Sequence, residues 1–267
     1  MCENRAPKPG VKHEPPPEGR RPATAVPLTP AAMSRILYVF PHPDDESFGP
    51  APAIARQQRE GHEVCLLTLT RGEATSQRER YGYSKAEMGD VRYREMQCVA
   101  RVLGLADLTV LGFADGELAE LDPRLLEDAV AAHVARVRPD VVVTYVAHGI
   151  SAHPDHLTTH AVVKRVYCAL RAEGAAYLRR LALFTLRDPG RPGRPPHLRG
   201  TPEDALDAVV TFTDDDRRRG EEALACYETY REVVEAHRPL DTVADGVCFV
   251  CFQERHRPPL ADLTSGL

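Results

Sequence analysis

The chain has 267 residues, and its 34 Lys and Arg against 39 Asp and Glu give a formal net charge of −5 at pH 7. That balance offers no basic footprint for nucleic acid or an anionic membrane, so a small-molecule partner is expected. No apolar run approaches the roughly 20 residues of a membrane span, the N-terminus lacks the apolar core of a secretory signal, and the seven cysteines are odd in number and scattered, so a cytoplasmic protein with reduced, mostly buried thiols is expected.

In chain order, residues 1–32 are rich in proline and charge and read as a disordered tail. Met33 stands directly before "SRILYVF", where a compact domain would begin, and is itself a candidate start codon. Ile36–Phe40 reads as the first strand, followed by a helix capped by Ser47 and stopped by Gly61. "HEVCLLTLT" is the second strand. A polar loop over 71–89 leads to "GDVRYREMQCVARVLG", a helix with Val91, Met96, Val99, Val102 and Leu103 as core residues and Gly104 as its stop. "DLTVLGF" is a third strand, residues 123–137 a helix, "PDVVVTY" a buried fourth strand, and "PDHLTTHAVVKRVYCALRAE" a long helix. Then come "LRRLALFTL", a Pro/Gly/Arg loop at 188–200, "DAVVTF", a helix from Asp214 to Ala236 and a last strand "VCFVCF". The alternation predicts an α/β fold, a Rossmann-like three-layer sandwich on a mostly parallel sheet with antiparallel strands at one edge. The expected boundaries are one domain over 33–256 and a flexible C-terminal tail over 257–267. Cys248 and Cys251 have C-x-x-C spacing, but no second pair accompanies them and they read as small core residues of the last strand. No G-x-G-x-x-G or P-loop pattern follows strand one, which excludes a dinucleotide or P-loop phosphate site of the usual kind.

Two polar clusters leave the ends of strands one and four, "PHPDDE" and "GISAHPDHLTTH". Open α/β sheets bind ligands beyond the carboxyl ends of their strands, so the two loops can converge on one site. His42 and Asp45 are three residues apart on a turn entering a helix and can share an ion, and one or two histidines of the second loop would complete the two-His, one-carboxylate set of a catalytic zinc. Asp44 points elsewhere and is free to act as a base. His156, further into its helix, is assigned to the metal, and His153 to catalysis. Either motif alone would be an ordinary helix start; together at the ends of two parallel strands they are not. Glu46 reads as a solvated helix N-terminus, Glu73 as ordering or capping its loop, His160 as a packed or exposed residue and "DDDRRRGEE" as a solvated face.

The chain resembles the PIG-L/LmbE family of zinc-dependent N-deacetylases, through "PHPDDE" (41–46), "TRGE" (70–73), "RYRE" (92–95) and "GISAHPDH" (149–156), over roughly residues 35–172. The resemblance implies a metal-dependent hydrolase that removes the acetyl group from an N-acetylglucosamine-type substrate. It implies zinc ligands His42, Asp45 and His156, a general base at Asp44 acting on the zinc-bound water, and an oxyanion-stabilising His153 kept charged by Asp155. It assigns Arg92 and Asp115 to sugar hydroxyls. The same ligand set also serves Fe2+, as in non-haem oxygenases, and a metal-binding protein without turnover is the third reading. Family substrates include thiol-cofactor precursors, glycolipids, antibiotics and chitin fragments. The mycothiol branch carries Tyr where this chain has Ser151, which counts against that branch. Homo-oligomerisation through a sheet edge is left open.

Overall fold

The computed structural model describes Met1, residues 33–189 and residues 194–267; the expected tail over 1–32 lies, Met1 apart, outside the described residues. The elements, in order, are β1 (Arg35–Phe40), α1 (Ala51–Arg59), β2 (Glu63–Thr70), α2 (Gln77–Tyr81), α3 (Lys85–Leu103), β3 (Asp107–Phe113), α4 (Pro123–Val137) and β4 (Val141–Tyr145). They continue with a one-turn α5 (Gly149–Ala152), α6 (Pro154–Ala172), β5 (Arg180–Asp188), β6 (Gly200–Pro202), β7 (Ala208–Val210), α7 (Asp214–Ala225), α8 (Arg231–His237) and β8 (Val247–Cys251).

The sheet runs β3-β2-β1-β4-β5-β8-β7, with β6 on a side branch against β5. The first five strands are mutually parallel, and β8 and β7 continue antiparallel. This is the expected α/β three-layer architecture, with helices covering a sheet whose central strands are apolar on both faces. "ILYVF" of β1 and "VVVTY" of β4 are buried throughout because they lie in the middle of that sheet. Strand order reverses between β1 and β4, so the loops leaving these two strands part and leave a crevice. Both histidine motifs begin there.

Gly61 and Gly104 stop their helices as expected, with φ of 89° and 72°, a conformation that glycine adopts without a Cβ clash. Ser47 does not cap α1; that helix begins at Ala51 after Pro50, while the Ser47 hydroxyl donates to Glu46 at 2.6 Å. The expected loop over 71–89 is shorter than read, because Ser84 and Glu87 form a capping box that starts α3 at Lys85. On α3 Val91 is half-buried and the position next to it, Arg92, is 1% exposed.

The expected continuous helix from Asp214 to Ala236 is broken between α7 and α8. Its break is fixed from α3, where the Glu95 carboxylate accepts the Thr229 backbone N–H and hydroxyl, both at 2.8 Å. Cys98 and Cys226 form a disulfide across the same contact, with a Cα separation of 5.8 Å, so the expectation of reduced thiols fails for this pair. Cys248 and Cys251 are buried free thiols in β8, as read. The run at 214–222 is not wholly a solvated face: Asp216 is buried, caps α7 with Thr213 and pairs with Arg59 through both carboxylate oxygens at 3.0 and 2.9 Å.

Residues 257–267 do not behave as a flexible tail. Leu260 bridges to Ala208, Leu263 is fully buried, and the Arg180 guanidinium donates to the Leu263 carbonyl at 2.6 Å. Arg180 is itself buried and paired with Glu254, so the segment closes over a charge that would be costly to leave open. Among the described residues no helix is long and apolar enough to cross a membrane.

Candidate active site

The loops after β1 and β4 meet in a cavity of about 460 Å³ whose wall includes His42, Asp44, Asp45, His153 and His156. The turn after β1 is tight: the Asp44 carbonyl accepts the N–H groups of Ser47 and Phe48, both at 2.8 Å, and Asp44 itself sits at φ 88°. A non-glycine residue held in that region is strained, and the strain turns two adjacent carboxylates in different directions. Asp45 faces the histidines and Asp44 faces α3.

Asp45 is pinned at both oxygens. Oδ2 accepts the His42 backbone N–H at 2.9 Å, and Oδ1 accepts the Tyr145 hydroxyl at 2.6 Å. The same oxygens lie 3.6 Å from His42 Nδ1 and 3.4 Å from His156 Nε2. Each histidine is oriented by its other nitrogen. His42 Nε2 lies 3.0 Å from Asp155 and 3.2 Å from Asp115, and His156 Nδ1 lies 3.0 Å from the Gly149 carbonyl. In the neutral rings those contacts place the proton on His42 Nε2 and His156 Nδ1 and leave His42 Nδ1 and His156 Nε2, both beside Asp45, as the lone pairs. The Tyr145 ring stacks on His156 at 4.2 Å, nearly parallel, and fixes its plane.

Electrostatics point the same way. Burial pushes the His42 imidazole down, but Asp115, Asp155 and Asp45 outweigh it and raise it to about 10. Three carboxylates around one ring form a place that demands positive charge, and His42, His153 and His156, like His42 with Asp115 and Asp155, bring ligand atoms within 4.8 Å of one another, close enough to share a cation. Burial holds His156 below the usual range, which favours the neutral ligating form.

Asp44 accepts from the Arg92 guanidinium at 2.7 Å, and its backbone N–H donates to the Tyr227 hydroxyl at 2.8 Å. Burial raises its carboxyl to about 6 against the pull of Arg92. Tyr227 in turn donates to Glu46 at 2.7 Å; Glu46 is fully buried, so the reading of a solvated helix N-terminus was wrong. Burial pushes Glu46 up to about 7.

The expected pairing of Asp155 with His153 is not what the geometry gives. The Asp155 carboxylate binds His42 Nε2, the Gly116 N–H at 2.8 Å and the Leu118 N–H at 3.1 Å. His153 receives from Asp155 only a backbone N–H, at 3.2 Å on Nδ1. With Nδ1 accepting, a neutral His153 carries its proton on Nε2, and no carboxylate is needed to set the tautomer. Its ring lies 4.9 Å from that of His42 and is exposed to the cavity.

Arg92 and Asp115, which the resemblance assigns to sugar hydroxyls, line the cavity but are already engaged by the protein. Arg92 is almost wholly buried, holds Asp44 and the Pro43 carbonyl, and has its guanidinium 4.1 Å from the centre of the Tyr230 ring. Gly72 makes room for it, since a Cβ there would lie 2.8 Å from Arg92 Nε. Asp115 accepts the Ala74 N–H at 2.8 Å and faces His42. Glu73 orders this loop, accepting the Asp115 N–H at 3.0 Å. His160 is packed beneath the site with Nδ1 2.8 Å from the Tyr145 carbonyl.

Sequence reasoning missed Tyr145, Tyr227 and Tyr230. Tyr145 is the last residue of an apolar strand and read as core; Tyr227 lies about 180 residues from Asp44 and Glu46, and Tyr230, whose hydroxyl donates to Thr75 and whose ring faces Arg92, is likewise remote from its partners. On the reading that Asp45 is a cation ligand, Tyr145→Phe, which leaves one Asp45 oxygen without its donor, lowers affinity for a divalent cation about tenfold, as measured by competition with a chromophoric chelator.

The family model described as GlcNAc-PI de-N-acetylase, PIG-L, matches residues 37–167. A 1D-myo-inositol 2-acetamido-2-deoxy-alpha-D-glucopyranoside deacetylase of Thermomonospora curvata is 36% identical over 152 residues, 49% of this chain and 51% of the relative, so the chain spans about half the length of that relative. A deacetylase of the same name from Mycobacteroides abscessus is 30% identical over 263 residues, covering 86% of this chain and 89% of the relative. Among solved structures, a conserved protein of Thermus thermophilus superposes with a TM-score of 0.58 at 26% identity, over 77% of this chain and 85% of that one.

Proposed function

Because the chain belongs to the PIG-L family of de-N-acetylases, we propose that it hydrolyses the amide of an N-acetylglucosamine-type sugar, releasing acetate and a free amine. The observation that carries this reading is the division of the two adjacent carboxylates: Asp45 lies between His42 and His156, while Asp44 is held apart by Arg92 in the same cavity. A hydrolase of this kind needs a cation site and a separate base, and a purely metal-storing protein needs no base.

His42, Asp45 and His156 would hold zinc, which when bound polarises the amide carbonyl and makes water acidic enough to attack near neutral pH. Asp44 takes the proton of the attacking water and returns it to the departing nitrogen; it is buried and aimed by Arg92 and Tyr227, so it does not spend the reaction as a solvated anion. His153 offers its Nε2–H to the oxygen that becomes negative as the carbonyl carbon turns tetrahedral. Asp155 and Asp115 act on His42, holding Nε2 protonated so that Nδ1 remains a donor to the metal. Arg92 and Asp115, from the cavity wall, would meet the sugar hydroxyls with whatever capacity these bonds leave.

The relatives' names support an acetamido sugar as substrate. Zinc-loaded protein incubated with N-acetylglucosamine and its glycosides should release acetate and primary amine in equal amounts. Absence of amine from every N-acyl amino sugar while zinc remains bound would overturn the proposal.

A further inference from the structure

The cavity has two unlike halves, and the sheet order sets them on opposite sides of the histidines. The loops after β2 and β3 supply Arg92's neighbourhood, Thr75, Asp115 and Gly116, a side of carboxylate, hydroxyl and backbone donors. In the centre, β1 and β4 deliver His42, Asp45 and His156. On the far side, Phe184 and Leu186 of β5 and Pro195, His197 and Leu198 of the segment after it meet Phe48 from the loop after β1 and Ile150 of α5, a side that is apolar except for His197.

The apolar half is built into the fold. The Phe184 ring packs onto the backbone of Gly49, where a Cβ would lie 2.5 Å from Phe184 Cζ. It also lies 5.9 Å from the Tyr145 ring, which stacks on His156, so the apolar wall begins one ring away from a proposed metal ligand. Phe184 and Leu186 are 2% and 4% exposed, and Leu198 is held over Ile150 by the Arg199 N–H donating to the Ile150 carbonyl at 2.8 Å. The whole cavity, about 460 Å³, is of the size that takes a drug-sized ligand, roughly 300–1,000 Å³.

A trans secondary amide sends its nitrogen substituent and its acyl chain in opposite directions from the C–N bond. With the carbonyl at the histidines and the sugar on the polar half, the acyl chain enters the apolar half. A methyl group leaves most of that wall without a partner. Resting on the amide-hydrolase reading above, we infer that this site takes N-acyl amino sugars whose acyl group is a longer, apolar chain than acetyl. The step is the same hydrolysis: water oxygen bonds to the acyl carbon, the C–N bond breaks, the nitrogen takes the proton, and a fatty carboxylate leaves with the free amino sugar.

The test compares kcat/KM of the zinc-loaded protein on N-acetyl-, N-butanoyl-, N-hexanoyl- and N-octanoylglucosamine, with the octyl glycoside of N-acetylglucosamine as a further arm. Each methylene buried is worth at most about fourfold, so a rise of tenfold or more from acetyl to hexanoyl is expected. Leu198→Glu should cut the hexanoyl-to-acetyl ratio at least tenfold, and a ratio does not depend on the fraction folded. Efficient acetyl release with falling rates on longer chains would overturn the inference and leave the deacetylase reading standing. A gain confined to the octyl glycoside would overturn it by giving the apolar half to the aglycone. Failure on every N-acyl glucosamine would overturn the hydrolase reading and the inference with it.

Discussion

Asp44→Asn should lower kcat/KM by about 10²–10⁴-fold, the range for losing a general base, while zinc content and thermal unfolding stay near those of the parent. The substitution is close to isosteric. Asparagine keeps an oxygen that can accept from Arg92, which now holds Asp44 at 2.7 Å, and it tolerates the φ of 88° better than any residue except glycine. What it removes is the ability to take a proton. The backbone N–H on Tyr227 is untouched, so the turn that orients Asp45 toward the histidines persists. Activity within about fivefold of the parent would sink the base assignment, and loss of zinc would mean that Asp44 belongs to the cation site.

Removal of the metal should abolish turnover, and Asp155→Asn should raise the zinc concentration needed for half-restoration by about 10–100-fold. Two readings of Asp155 separate here. If it served His153, as the resemblance suggested, the variant would lose kcat at unchanged zinc affinity. The structure sets its carboxylate on His42 Nε2 at 3.0 Å, with the Gly116 and Leu118 N–H groups on its remaining lone pairs. Loss of that charge weakens the hold on the Nε2 proton, and with it the basicity of Nδ1. Dialysis against a chelator followed by stepwise zinc return measures the effect; an unchanged zinc requirement would contradict it.

Several features were legible because they depend on neighbours in sequence. The alternation of apolar runs and amphipathic stretches gave the parallel α/β sheet, and the H-x-x-D and H-x-x-H spacings marked residues that one turn brings together. The histidines at the ends of β1 and β4 were found together because strand ends in such sheets converge. Other features failed for a common reason. The break between α7 and α8 answers to Glu95 and Cys98, more than 120 residues away, and nothing within "DDDRRRGEEALACYETYREVVEA" announces it. The packing of residues 257–267 answers to Arg180 in the same way. Glu46 read as a solvated residue because an acidic side chain near a helix start usually is; burial reversed that, and the Tyr227 hydroxyl supplied the partner.

The sequence by itself determined which side chains could do chemistry here: their types, their spacing, and the strands that deliver them are local properties of the chain. The division of Asp44 from Asp45 was already legible in the H-x-x-D spacing; tertiary structure alone decided which partners hold the two apart. Asp44 and Asp45 are adjacent and chemically identical; Arg92 and Tyr227 hold the one, and Tyr145 and the His42 N–H hold the other. Asp155 was likewise free to serve His153 or His42 until the loop after β3 closed over it. Hydrogen bonds and charges act through space over a few ångströms, so a residue's role is set by what packs against it, and in this fold those partners come from strands and helices far apart in the chain.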